Sequence, residues 1–309
     1  MKTFETKYLE NLIKEFDVKD NMASPKLVNF ENATKFSKAY ISMIQPLSTE
    51  KFCVVGLDIL GYSQYNFEKQ SIIPSIFDLL MSETLRHTIE NESLIFQHEN
   101  ETKLTEKFIS TGDGGFQVLE NPLQGLIFSL NFASMLHLFN AYSLYPSIRH
   151  FLGELKVRYC LTYDNVFKFK NNYYGAAIIN NHRIMSKDKL DRCLLDKNYY
   201  TWFLEKTNGL ESLPQFTYTD IAKKLSIPAI SLPLKKGTFI TDIFHSEDEK
   251  PSLRNIISQK IGHVKAKEQI LDVYNLFVQI EKSYKEESTD IFDNYTVNLG
   301  NLNTAGLLE

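Results

Sequence analysis

The chain has 309 residues, 43% of them hydrophobic and 23% charged, with a formal net charge of −4. This length supports one large or two modest domains around a substantial core, and the small negative charge argues against a primary role in coating nucleic acid. Cys53, Cys160 and Cys193 form no CxxC pair and lie in apolar surroundings, which points to buried thiols in a reducing compartment and not to disulfides or zinc.

The opening MKTFETKYLENLIKEF alternates charge with hydrophobes at helical spacing and lacks the apolar core of a signal peptide. No stretch reaches the uninterrupted length of a membrane span, so a cytoplasmic protein without direct membrane or nucleic-acid binding is expected. Residues 1–47 read as an N-terminal helical extension, with Phe30, Phe36, Tyr40 and Ile44 spaced for one face and breaks near Pro25 and Pro46. Residues 48–245 carry alternating elements: a strand at 51–58, a helix from about Ile73 to His87, strands at 106–111 and in GFQVLE, and a helix from Pro122 to about Tyr142. Strands LKVRYCLTY and NVFKF, a helix around Ile178 to Ser186, and a strand pair near 193–195 and in GTFITDIF follow. The pattern predicts an α+β fold, a sheet with helices packed on one side. Residues 246–309 read as a C-terminal helical extension and tail. The spacing of Ile256, Ile257, Ile261, Ile270, Val273, Leu276, Phe277 and Ile280 predicts a long amphipathic helix or a helix pair, and NLGNLNTAGLLE a tail.

The informative stretch is KFCVVGLDILGYSQY, in which an apolar strand ends on Asp58. A desolvated, unpaired carboxylate costs several kcal/mol, so this one must be solvated, bonded to amides, or holding a cation. A second strand-end acid sits in EKFISTGDGGFQVLE, where Asp113 lies at the tip of a tight hairpin. Taken singly, Asp113 can be an ordinary Asp-Gly turn residue and Asp58 the cap of a helix starting near Tyr62. Taken together, paired acids beside an LGYS turn whose amides can face anionic oxygens suit a two-magnesium phosphoryl-transfer site.

The order GLDILGYS, STGDGG, NNYYGAAIINNHRI resembles the catalytic domain of class III nucleotidyl cyclases over about residues 48–245. The resemblance implies that Asp58 and Asp113 bind two Mg²⁺ or Mn²⁺ ions per site, that the Ile59 carbonyl ligates one of them, and that amides around Leu60, Gly61, Tyr62 and Ser63 receive the β- and γ-phosphates. It implies that Arg183, eight residues after Gly175, stabilises the pentacoordinate phosphorus. It also implies a homodimer with composite sites, the acids from one protomer and the Asn/Arg helix from the other.

The departures are as informative. The family's ribose-orienting Asn falls at Ile179, with Asn180 and Asn181 following, so either Asn180 serves by a one-residue shift or the sugar is held differently. The base-reading position four before the hairpin acid is Ile109, and its partner three before the glycine is Asn172. Isoleucine offers a purine edge no polar contact, whereas Asn offers donor and acceptor to a pyrimidine. With its flanking extensions and GAAIINNHRI, the chain most resembles the pyrimidine cyclases of Pycsar antiphage systems. That implies a cyclic UMP or cyclic CMP product read by a separate effector protein, and Ile109 with Asn172 points to UTP as substrate, with CTP as runner-up. A degenerate cyclase-fold binding module is the alternative. An oligonucleotide-signalling nucleotidyltransferase is disfavoured because the chain has no Asp-x-Asp pair. His182 reads as a surface or packing residue, and Lys235 and Lys236 as a solvated turn or weak triphosphate ligands.

Overall fold

The run Cys53 to Leu57 is buried without interruption, which marks a strand covered on both faces. The computed structural model describes residues 3–4, 6–16, 30–44, 50–93, 95–207, 253–266, 269–285 and 292–307. A short strand β1 (Thr3–Phe4) and helices α1 (Thr6–Phe16) and α2 (Phe30–Ile44) come first. They are followed by β2 (Lys51–Ile59), α3 (Phe67–Asn91), α4 (Glu101–Glu106), β3 (Phe108–Ser110), β4 (Gly114–Leu119), α5 (Pro122–Asn140) and α6 (Pro146–Leu152). Next come β5 (Val157–Asn165), β6 (Phe167–Phe169), β7 (Asn172–Tyr174), α7 (Ala176–Met185), β8 (Cys193–Asp196), α8 (Lys197–Thr207), β9 (Leu253–Lys265), β10 (Ile270–Lys285) and β11 (Phe292–Leu299). The main sheet has eight strands in the order β11-β10-β8-β5-β2-β4-β3, with β9 also pairing β10, and β1-β6-β7 form a small second sheet. Within the main sheet β5–β8 is the parallel pair. The architecture is α+β, as expected.

The helices cover both faces, not one. Cys53, Val55, Leu57 and Ile59 alternate toward a core shared with α3, α5 and α8. Val54 faces the other way, into a second core with Ala177, Ile184 and Met185 of α7. The strand's period of two thus sends residues 54, 56 and 58 to the α7 face. Helix α5 is buried on all sides. Contrary to the expectation that no stretch reaches a membrane span, it is the one helix among the described residues long and apolar enough to cross a membrane, and here that surface lies in the core.

Three helices share one start device. Asn66, Asn100 and Asn121 accept the backbone N–H of Lys69, Lys103 and Gln124 at 3.1, 2.9 and 3.0 Å, each satisfying an amide that the helix leaves open. The Asn66 cap moves the start of α3 ahead of the expected Ile73 and carries the helix through Pro74.

The expected C-terminal helices are strands. Val273 to Val278 of β10 are buried consecutively, as two-sided burial between helices and sheet requires, and the Ile/Val-rich composition favours the pleated state. β10 joins the sheet through β8, with Val273 opposite Asp196. The expected tail begins inside β11, which pairs with β10. GTFITDIF, Lys235, Lys236 and the breaks near Pro25 and Pro46 lie outside the described residues.

Asp196, 5% exposed, ends β8 and accepts the N–H of Tyr199 at 2.8 Å at the start of α8. Burial outweighs that bond and pushes its carboxyl up to about 7. Between the ordinary carboxylate range and pH 7 the folded chain therefore holds a proton that the unfolded chain has released. The associated stability is fully present below the unfolded pKa and is lost as pH rises through about 7. Denaturant unfolding at pH 5 and 6.5 should show wild type losing up to about 1.4 kcal/mol per pH unit relative to Asp196→Asn. Parallel pH profiles for the two proteins would remove this assignment.

Candidate active site

Asp58 lies on β2 opposite Gly114 of β4 on one side and Arg158 of β5 on the other. Gly114 is obligatory there, since a Cβ would come 2.1 Å from the Leu57 carbonyl oxygen and 2.9 Å from Asp58 Cα. This close approach brings the hairpin tip to the strand end, and the Ile59 N–H donates to the Asp113 carbonyl at 3.1 Å. The two strand-end acids are therefore neighbours. Burial first, and then the Asp58 charge, raise the Asp113 carboxyl above its ordinary range, against the pull of its own backbone amide and Arg158.

Arg158 is the site residue that sequence reading missed. Its Nε donates to Asp58 Oδ2 at 2.9 Å, its Nη2 reaches the same oxygen, and its Nη1 donates to the Asp188 carbonyl at 2.5 Å and the Met185 carbonyl at 3.4 Å. The available signal was a lone cation within an apolar strand, but its meaning depends on the β2–β5 register. Because both guanidinium contacts fall on Oδ2, Oδ1 of Asp58 and the Asp113 carboxylate stay open to a cation. Together with the Ile59 carbonyl they make a small set of hard oxygen donors, the kind Mg²⁺ and Mn²⁺ accept when phosphate and water complete the shell. Burial first and the neighbouring Asp58 charge second raise the Asp113 carboxyl, and a cation held between the hard oxygens of the two acids would favour its ionised form, so the residues fit the group. Among the described residues no set of three His, Cys, Asp or Glu side chains converges on a metal position.

The turn after β2 is fixed from both sides. The Leu60 N–H is spent on the Lys156 carbonyl at 2.8 Å, so Leu60 does not offer that amide to a ligand. Gly61, at φ 75°, caps a 3-10 turn over Tyr62–Gln64 that no side chain caps, which leaves the first amides of the turn, at Tyr62 and Ser63, without intrahelical acceptors. The Tyr62 hydroxyl donates to the Gln70 carbonyl at 3.2 Å and Gln70 Nε2 returns a bond to the Tyr62 carbonyl at 3.3 Å. Pro74 has no N–H to give the carbonyl four residues before it, so Tyr62 satisfies an acceptor that the proline orphans. A cavity of about 260 Å³ lined by Leu60, Gly61, Gln64 and Tyr65 opens beside the turn.

The remaining predicted residues are spread over β3, β7 and α7. Asn181 is fully buried, and its Nδ2 donates to the carbonyls of Val54 and Cys160 at 3.0 and 2.7 Å and to Thr162 Oγ1 at 3.3 Å. Gly56 makes room for it, because a Cβ there would sit 2.0 Å from Asn181 Oδ1. Asn181 is thus a pin between helix and sheet. Asn180 Oδ1 accepts from Gln269 Nε2 at 3.4 Å, in the β9–β10 turn. Ile179 is 51% exposed. The half-buried Arg183 side chain makes no hydrogen bond or ion pair among the described residues. Ile109 packs against the second core, and Asn172 is exposed, with Oδ1 accepting the Tyr173 N–H at 2.9 Å. Among the described residues no hydrogen bond or ion pair joins Asn172, Asn180 or Arg183 to either acid.

No protein-family profile and no curated protein matches the sequence. Similar solved structures exist. The adenylyl cyclase CyaB from P. aeruginosa is 11% identical, with a TM-score of 0.38 over 74% of this chain and 93% of that one. The guanylate cyclase domain of RhGC from Catenaria anguillulae, in complex with GTP, is 11% identical, with a TM-score of 0.41 over 74% of this chain and 96% of that one. A bacterial light-regulated adenylyl cyclase is 10% identical, with a TM-score of 0.39 over 73% and 88%. The residues, not these matches, carry the functional reading.

The two asparagines are separable by experiment. Asn181→Ala should cost about 2–3 kcal/mol in denaturant unfolding, because it strips three buried bonds. Asn180→Ala, with one long contact, should cost less than about 1 kcal/mol. Equal losses would contradict the division of labour.

Proposed function

We propose that the chain is a pyrimidine nucleotide cyclase that converts UTP to 3′,5′-cyclic UMP and pyrophosphate, acting in bacterial antiphage defence, with CTP the second-best substrate. The observation that carries this reading is the convergence of Asp58 and Asp113 at the ends of adjacent strands, beside a turn with open amides and a cavity. The motif order GLDILGYS, STGDGG, NNYYGAAIINNHRI supports the same reading by its resemblance to class III cyclases.

In this reading Asp58, Asp113 and the Ile59 carbonyl hold two Mg²⁺ or Mn²⁺ ions, which when bound lower the pKa of the ribose 3′-hydroxyl and neutralise the leaving pyrophosphate. The Tyr62 and Ser63 amides, with Gly61 shaping the turn, receive phosphate oxygens. Asn180 orients the ribose, and Arg183 supplies charge to the phosphoryl group as the bond from O3′ to the α-phosphorus forms and the bond to pyrophosphate breaks. Ile109 leaves a purine edge unpaired, and the exposed Asn172 amide reads the pyrimidine edge. Since Arg183 makes no described contact with the acids of its own chain, a two-fold dimer with composite sites accounts for it, whereas Asn180, 6% exposed and bonded to Gln269, must give up that contact to reach a ribose.

A second reading, nucleotide binding without turnover, draws on Ile179 at the family's Asn position and on Asn181 being spent in the core. Metal-dependent product formation separates the two. Incubation with each of the four ribonucleoside triphosphates and Mn²⁺, with products identified by mass, should give cyclic UMP fastest, then cyclic CMP, with ATP and GTP poor. A clear preference for ATP or GTP would refute the pyrimidine reading, and no product from any of them would favour the binding module. Asp58→Ala and Asp113→Ala should each lower the rate roughly a hundredfold or more. Mixing Asp58→Ala with Arg183→Ala protein should restore part of it, because one site of a mixed dimer is intact. If subunits exchange and no activity returns, composite sites are wrong.

A further inference from the structure

The buried ion pair between Asp188 and Arg192 has no part in the reading above. Arg192 and Asp188 are 1% and 2% exposed. Arg192 Nε donates to Asp188 Oδ1 and Oδ2 at 3.1 and 3.2 Å, and its Nη2 to Oδ1 at 2.6 Å. Burying such a pair is favourable only when its remaining polar positions are filled; the Leu190 N–H donates to Asp188 Oδ1 at 3.4 Å, and two further contacts reach out from the two residues. On one side, Arg192 Nη1 donates to the carbonyls of Asn303 and Ala305 at 3.1 and 2.6 Å. On the other, the Asp188 carbonyl accepts Nη1 of Arg158, whose opposite edge holds Asp58.

Residues 301–307, beyond the last strand, therefore form a strap with a built anchorage. Asn301 Nδ2 donates to the carbonyl and side chain of Asp191 at 3.1 and 2.8 Å, and Asn275 Nδ2 holds the Asn301 carbonyl at 2.8 Å. The Asn303 N–H donates to Asn301 Oδ1 and the Ala305 N–H to Asn303 Oδ1, both at 2.9 Å. These side-chain turns aim the carbonyls of residues 303 and 305 at Arg192. Leu307 then packs on the second core.

We propose that the C-terminal strap sets the position of the Asp58 carboxylate through Arg192, Asp188 and Arg158, so that Arg192 and Asp188 are positioning residues for the candidate active site. The link is contiguous. Strap carbonyls fix the Arg192 guanidinium, Arg192 fixes the Asp188 segment, and the Asp188 carbonyl fixes the Arg158 fork that determines which Asp58 oxygen is free. The consequence for metal binding rests on the reading of Asp58 as a metal-holding acid, whereas the linkage itself does not.

Two full-length variants test it. Arg192→Lys keeps a cation beside Asp188 but lacks the fork that reaches the strap. Asn303→Ala, at an exposed position, removes the acceptor that shapes the strap turn and keeps the test open if Arg192→Lys does not fold. In metal-free protein, the ¹⁵N–¹H resonance of Arg158 Nε, bonded to Asp58 in wild type, should shift and exchange faster with water in both variants. Mn²⁺ alone, titrated by electron paramagnetic resonance, should bind about tenfold more weakly to Arg192→Lys, the size expected when a group that orients a ligand is removed. Any lost product formation should return as Mn²⁺ is raised, which a mere loss of folded protein would not allow. An unchanged Arg158 signal in the folded variants overturns the proposal, as does an activity loss that Mn²⁺ does not restore. Wild type that binds no Mn²⁺ while the Arg158 signal still responds supports the linkage and overturns the cyclase reading instead.

Discussion

The approach of the β4 hairpin to the end of β2 is the constraint on which the site depends. It is possible only because residue 114 has no side chain to strike the Leu57 carbonyl. Once that contact is made, the Asp113 carbonyl takes the Ile59 N–H and the two acids are held side by side. Burial and the Asp58 charge raise the Asp113 carboxyl, while Arg158 pairs with Asp58 on one side. The other side is left to solvent or a cation. The asymmetry, one acid paired and one raised, is the feature on which the proposed metal position rests.

The same economy governs the turn that follows. Pro74 in α3 removes the donor that the Gln70 carbonyl needs, and a buried carbonyl without a partner is costly. The Tyr62 hydroxyl supplies it. A defect in one helix thereby becomes the anchor for the turn that would face phosphate, and the Lys156 carbonyl fixes the opposite end through Leu60. Amides held in this way are oriented before any ligand arrives, so little ordering cost falls on binding.

Legibility in the sequence followed the range of the interactions. The strand ending on Asp58 and the Gly-Asp hairpin were readable because each is written within a dozen residues. The apolar α5 was readable as a helix with Pro122 at its start, and the structure adds that all its sides are covered. What the sequence hid was pairing. Arg158 has meaning only in register with Asp58, and Asn181 only opposite Gly56. The C-terminal strands were misread because isoleucines and valines happened to fall near helical spacing, while the decisive sign was six consecutive buried residues from Val273 to Val278. Periodicity cannot separate a two-sided strand from a helix when both bury apolar runs.

The face of α7 makes the last step. Asn181 and Ile184 are buried toward the sheet, so on a helix of 3.6 residues per turn Ile179, His182 and Arg183 turn away from it. Ile179 is indeed exposed and Arg183 is left without a described partner. A half-buried guanidinium that ignores the two carboxylates of its own chain is poorly used in a monomer, where pairing with Asp58 is already taken by Arg158. It is well placed to meet anionic oxygens presented by something packed on that face. Two copies related by a two-fold axis would give each Arg183 the other's site, while the buried Asn181 keeps the helix rigid against its own sheet. In the proposed dimer, the charge that the chain withholds from its own acids is the charge that a composite site would use.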